Sequence, residues 1–427
     1  MLKIKELRWW LCGLLFIATS LSFLDRQVLS IVAPEITKEF QMSNTAYSQV
    51  TTAFLLSYAI MFFLGGRLID WLGTRLGMTL SVGFWSLASA VHGLVQNPMQ
   101  LGVARFFLGV GEGGCFPGAT KGATEWFPHK ERATAIGIAI GGAALGAVVA
   151  PPMTVWLFDW VGWRGAFFAT GIIGGMWVLL WWIFFYKPKD SPFITQGELA
   201  HIENAQGEGT TGASKVPDKE SIVPLKILLR IKQVWGLALM RFLVDWVFYF
   251  YMFWIPLYLS QERNVSLQRI GEELVWIPFL ALGVSNIAGG WVSDRLIKSG
   301  MSVNTSRKSI MSAAAILTIF STLAAYAPNA ETAIAFMSLL MLAHGFWITN
   351  YVTIISEIFD SNSVATVMGL AGTIGAIGGM LANLVIGPVS DYFSFLPIWI
   401  ASGIMYPLAL VVLFLTIGPI RRIELPH

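Results

Sequence analysis

Twelve apolar runs set the terms for this chain. They fall near 9–33, 45–67, 78–96, 99–119, 133–157 and 163–186, then near 234–259, 272–293, 308–327, 331–354, 364–388 and 394–418. A helix needs about 20 apolar residues to cross the hydrocarbon core of a bilayer, so each run is a membrane span. Hydrophobic residues make up 55% of the chain and charged ones 12%. A soluble globule could not hide that much apolar surface, and disorder, collagen and a disulfide scaffold are excluded as well. The predicted fold class is an all-α membrane protein, with twelve transmembrane helices in two six-helix pseudo-symmetric halves.

The halves are 1–186 and 234–427, divided by a polar linker at 187–233 that carries KPKDSP and QGEGTTGASKVPDKES, with a short surface helix expected near 195–205. Lysine and arginine give the orientation. With the N-terminus inside, the outer loops hold only Lys38, Arg164, Arg263 and Arg269 of the 28 basic residues. Both termini are therefore expected in the cytoplasm, in a cell inner membrane. The start, MLKIKELRWW, mimics a signal peptide, but no A-x-A site follows, and it reads as the retained first helix. Cys12 and Cys115 sit inside apolar runs and read as buried thiols.

The halves echo one another. Gly66-Arg67-Leu68-Ile69-Asp70 returns as Gly290-Trp291-Val292-Ser293-Asp294, each where the second helix of its half meets the cytoplasm. Asp159-Trp160-Val161-Gly162-Trp163 returns as Asp391-Tyr392-Phe393-Ser394-Phe395. Two six-helix repeats around a midplane cavity are the layout of an alternating-access transporter.

On these residues the chain resembles the major facilitator superfamily over essentially its whole length. GGRLIDWLGTRLG (65–77) matches the loop signature between helices two and three. RFFLGVGEGG (105–114) matches the helix-four pattern, and GIAIGGAALGAVVAPP (137–152) the Gly-rich helix five. Within the superfamily it is similar to the anion:cation symporter family. FLDRQVLSIVAPEI (23–36) matches that family's helix-one Asp-Arg signature, and EWFPHKERATAIG (125–137) its helix-four-to-five loop. RFLVDWVFYFYMFWIPLYL (241–259) resembles helix seven of its hexuronate transporters. The resemblance implies import of an organic anion with protons, the hexuronate group carrying glucuronate and galacturonate. Two departures touch the substrate: Phe23 stands where many relatives have Tyr, and Ala143-Ala144 where some have a polar residue.

Six ionisable residues lie within spans: Asp25, Arg26, Arg105, Glu112, Arg241 and Asp245. Charges at that depth are expensive and mark functional sites by default. Arg105 is the first candidate for the anion, because a guanidinium offers a planar fork that matches a carboxylate. Its alternative is a fixed ion pair with Asp25. Glu112 lies seven residues on, about 10 Å along the same face. Glycines flank it, and a carboxyl out of water is more readily held neutral, so Glu112 and Asp25 are the proton-coupling candidates. An interhelical hydrogen bond for Glu112 and a permanent salt bridge for Asp25 are the alternatives. Arg26 is expected to contact substrate or gate the outer side. Arg241 and Asp245, an i,i+4 pair, either neutralise one another or clamp the sugar acid.

Sugar hydroxyls and faces call for Tyr58, Trp254, Asn350, Thr373 and Asn383, with Trp246, Tyr249 and Trp347 as further lining candidates. Among 18 Trp most must belong to packing or to the interfacial belt. His344 reads as a packing histidine sooner than a proton relay. By the resemblance, Asp70, Arg75, Asp294 and Arg307 are gate and scaffold residues. The glycines of 369–379 allow close helix contact.

GEGGCFPGATKGAT lacks a Walker pattern, no metal spacing of His and Cys occurs, and no cofactor is expected. The chain is not expected to be an enzyme. The basic linker faces anionic lipid rather than nucleic acid. The expected protein is a monomeric proton symporter for a sugar acid, first of all hexuronate. Its expected partners are that small organic anion, protons and membrane lipid. The alternatives are an aldonate such as galactonate or an aromatic acid on the same machine, then a drug exporter, then a non-transporting sensor.

Overall fold

The structure, a computed structural model, describes residues 3–207, 225–359 and 361–423. Before the linker come α1 (Leu7–Glu39), α2 (Asn44–Leu72), α3 (Thr74–His92), α4 (Pro98–Glu112), α5 (Cys115–Trp126) and α6 (His129–Phe184). The linker holds α7 (Gln196–Gly207), the expected surface helix, and α8 (Leu225–Leu228). Then follow α9 (Lys232–Gln261) and α10 (Leu267–Arg269), which runs through a π-helical turn at Ile270–Leu274 into α11 (Trp276–Lys298). The chain ends with α12 (Val303–Ile319), α13 (Ala330–Ile358), α14 (Ser361–Tyr392) and α15 (Leu396–Thr416).

Nine helical segments among the described residues are long and apolar enough to cross a membrane. The other three spans of the twelve come from local geometry. Gly162, at φ 69°, breaks α6 into two spans, a backbone region that glycine enters freely. α4 and α5 make one span interrupted at Gly113 and Gly114. α3 is a span of 19 residues.

The repeat extends to the helix caps. Ser43 caps α2 and Ser266 caps α10, each accepting from a backbone N–H three residues on. Asn97 and Asn329 do the same for α4 and α13. The halves meet where α2 packs on α14, α1 on α9, and α6 on α11.

Two faces follow from the chain path: a linker face, which also carries the start of α1 and the end of α15, and a far face. Among the described residues, every hydrogen bond between halves clusters towards the far face. Asp391 accepts from Asn44 N and Thr45 N, both at 2.8 Å, and from the Thr45 hydroxyl at 2.6 Å. Asn44 and Gln261 exchange two bonds, Tyr47 donates to Phe253 O, and Thr51 donates to Asn383. Gln268 donates to Asp159 at 3.2 Å. The two aspartates of the second echo thus take corresponding places across the seam, each at the start of the other half's second span.

α7 is fastened to the first half. Glu198 accepts from Leu7 N and Arg8 N at 3.0 Å, capping α1, and Ile4 N donates to Phe193 O. Lys215 and Lys219, part of the basic linker, lie outside the described residues. Cys12 and Cys115 are free and buried.

Candidate functional site

The site is assembled by α1, α2, α3 and α4. Glycine brings α4 in: a Cβ at Gly109 would lie 2.2 Å from Ser57 Oγ, and one at Gly113 2.3 Å from Met61 Cβ. Only a bare backbone lets α4 lie this close to α2, and that approach turns Arg105 and Glu112 inward. Both are fully buried.

Arg105 is 1% exposed, and its Nε, Nη1 and Nη2 have no hydrogen-bond partner among the described residues. The groups near enough to act on it electrostatically include Tyr47, Glu112, Asp25 and His92. The Tyr47 hydroxyl is spent on Phe253 O at 2.9 Å. Asp25 accepts from Ser89 Oγ at 2.9 Å, and Ser89 in turn meets Thr170. The fixed Asp25–Arg105 pair is therefore not formed.

Glu112 holds Arg26 instead. Arg26 Nε donates to Glu112 Oε2 at 2.5 Å, and Ser22 donates to the same oxygen at 3.0 Å. Glycines do flank Glu112, yet they leave it this polar company. Arg26 is further enclosed by rings, lying 4.3 Å from the centroid of Tyr58, 4.9 Å from Phe23 and 5.4 Å from Phe54. Phe23, the departure from Tyr, supplies a ring face to Arg26.

In the second half, Arg241 Nε donates to Asp245 Oδ2 at 2.7 Å. α14 presses on that pair: a Cβ at Gly375 would fall 2.2 Å from Asp245 Oδ2. His344 bonds to the Tyr406 hydroxyl and stacks on Phe248. Trp254 Nε1 donates to Asn383 Oδ1 at 2.8 Å, the atom that also receives Thr51, so Trp254 and Asn383 are placed in the seam between halves. Thr373 donates to Gly369 O within its own helix.

The remaining candidates lie towards the linker face, each bonded within its own half. Asp70 pairs with Lys121 at 2.7 Å. Arg75 donates to Trp182 O and lies over the Trp182 and Tyr186 rings. Arg307 reaches Glu357 at 3.1 Å, Asp294 at 3.5 Å, Ser293 at 2.6 Å and Asn350 at 3.4 Å. Asn350 is thereby placed with the Arg307 cluster rather than beside Arg105.

Sequence reasoning missed Ser22, Tyr47, Ser89 and the bonding of Asp391. Ser22 had a signal, since it stands four residues before Arg26 on one helix face. Ser89 had none, because a lone serine in an apolar run points nowhere.

Residues 15–382 match the Major Facilitator Superfamily. The chain belongs to the Major Facilitator Superfamily. Among curated superfamily members, the hexuronate transporter of Escherichia coli (strain K12) is 30% identical over 415 residues, covering 97% of this chain and 95% of that protein. The galacturonate transporter of Dickeya chrysanthemi is 33% identical over 322 residues, 75% of this chain and 91% of that one. A crystal structure of a bacterial homolog to the human lysosomal transporter Spinster, in an inward-facing and occupied conformation, superposes with a TM-score of 0.76. It shares 20% identity and covers 97% of each chain. This superfamily member is thus a multi-pass membrane transporter and not an enzyme.

Proposed function

We propose that the protein is a proton-coupled symporter that imports a sugar acid, first of all hexuronate, by alternating access between its two halves. The observation that carries the reading is Arg105, a buried guanidinium whose three nitrogens have no partner among the described residues. A charge buried in that way is costly. An arriving carboxylate would satisfy it with a two-pronged, charge-assisted contact. The similarity to hexuronate and galacturonate transporters supports a uronic acid as that carboxylate.

Coupling follows from charge. Asp25, Glu112, Arg26 and Arg105 sum to zero, so a monoanion adds an uncompensated negative charge unless a proton enters with it. Protonating Glu112 weakens its hold on Arg26 and frees that second guanidinium. This differs from release of Arg105 by its neighbours, because Arg105 is already without a partner. Protonating Asp25 as well would admit two protons per monoanion and move net positive charge inwards. With both termini in the cytoplasm of an inner membrane, the bonded far face is the outside. The structure is then the arrangement closed to the exterior.

The test is uptake of labelled glucuronate into liposomes with an imposed proton gradient. Acid outside should drive accumulation, and Glu112→Gln should bind glucuronate yet not concentrate it. Accumulation by E112Q against a gradient would remove Glu112 from the coupling. Stronger competition by galactonate or an aromatic acid than by galacturonate would move the substrate to another class of acid.

A further inference from the structure

The linker face carries a second concentration of positive charge, well away from Arg105. A cavity of about 690 Å³ opens between the start of α9, the end of α13 and the chain that follows α15. Lys232, Arg421 and Arg422 line it, and among the described residues no Asp or Glu does. Elsewhere on this face Arg8, Lys121 and Arg307 each hold a carboxylate. Among the described residues Lys232, Arg421 and Arg422 hold none.

The cavity is built rather than incidental. After α15 the chain is pinned three times: Lys308 Nζ donates to Gly418 O, Ile420 N to Asn304 Oδ1 at 3.1 Å, and Ile423 N to Ile358 O at 2.9 Å. No side chain caps α9 at Ile231, so the partial positive charge of that long helix adds to the three cations. Leu415 brings an apolar, exposed side chain to the wall, and Trp235 and Phe414, within a turn on the same two helices, are exposed apolar side chains as well. The cavity therefore sits where the membrane interface gives way to hydrocarbon, a polar head space continuous with a lipid-facing wall.

We propose that this cavity binds the headgroup of an anionic phospholipid, with the phosphate among Lys232, Arg421 and Arg422 and the acyl chains along Trp235, Phe414 and Leu415. A free anion would use the cations but gain nothing from the apolar wall. The lipid uses both.

Native mass spectrometry of the purified full chain tests this, with phosphatidylglycerol, phosphatidylcholine or inorganic phosphate added in turn. Retention of phosphatidylglycerol over phosphatidylcholine is expected on the wild-type protein. In Arg421→Gln/Arg422→Gln that retention should be about thirtyfold weaker, the loss expected for two interfacial charges. Lys232→Gln alone should lose severalfold, which keeps the test decisive if the double variant misfolds. Equal retention of both lipids by the wild type overturns the proposal, as does full retention by the variants. Displacement of phosphatidylglycerol by equimolar phosphate would assign the cavity to a free anion and overturn it too.

Discussion

Each half of this transporter places an arginine inside its helix bundle, and the two are treated in opposite ways. Arg241 has Asp245 one turn away at 2.7 Å, with the backbone of α14 packed on the pair. Arg105 has three nitrogens with no partner among the described residues and is more deeply buried, at 1% exposure. A paired charge can be architecture, since its neighbour removes most of the cost of burial. An unpaired one has no such excuse and needs something from outside. On the proposed function, anion recognition falls to the first half. The second half then supplies shape, through the aromatic wall of α9 and its contacts with α14.

The sharpest way to break that comparison is to remove the two positive charges one at a time. Arg105→Gln should reduce glucuronate binding about a thousandfold, the loss of two charge-assisted hydrogen bonds. The empty protein should not lose stability, because no bond in it depends on Arg105. Arg105→Lys should fall between, keeping the charge and losing the fork. Binding isotherms and thermal unfolding of the same preparations check both halves of the statement. Unchanged uronate affinity in R105Q would end the assignment.

Arg241→Gln should behave in the opposite sense. It strands Asp245, so the protein should lose roughly 3 kcal/mol, the low end for a broken buried pair because Arg241 is partly exposed. Adding Asp245→Asn should return most of that. If R241Q stays as stable as the wild type but loses uronate affinity, Arg241 is a ligand after all, and recognition is shared between halves. Gly375→Ala probes the same place more gently. Its new Cβ would have to displace Asp245 Oδ2 from 2.2 Å, and overpacking of this kind costs about 1–3 kcal/mol.

The sequence made much of this readable for physical reasons. Twelve spans are written in apolar length, which the bilayer enforces, and the caps and echoes repeat because the halves do. The six charges within spans stand out because hydrocarbon tolerates so few. Partner choice was harder. Arg26 and Arg105 are both buried arginines near Glu112, and periodicity alone could not say which of them Glu112 would hold. That depends on where α4 settles against α1 and α2, which Gly109 and Gly113 decide through contacts with residues some fifty positions away. Trp254 and Asn383 were legible as polar groups at depth. Their mutual hydrogen bond, and the Thr51 bond from the other half, belong to one conformation of the seam. On the alternating-access reading proposed above, no sequence pattern encodes a single state of a protein that moves between two.

That seam supplies the smallest expected effect. Asp391 and Asp159 are echoes in sequence, yet Asp391 receives three hydrogen bonds from Asn44 and Thr45, while Asp159 receives one from Gln268. Asp391 also sets a full negative charge at the start of α2, where the exposed N–H groups favour it by up to about 1 kcal/mol. Asp391→Asn should therefore shift the balance towards an open far face about fivefold, and Asp159→Asn by less. A cysteine in place of Ser48, buried where α2 meets α14 at Gly387, would report the opening by thiol labelling, with Cys12 and Cys115 buried and silent. Labelling should rise in D391N beyond D159N. An equal rise would make the two echoes interchangeable, and no rise would place the closure in the aromatic packing between Phe54 and Phe253 instead.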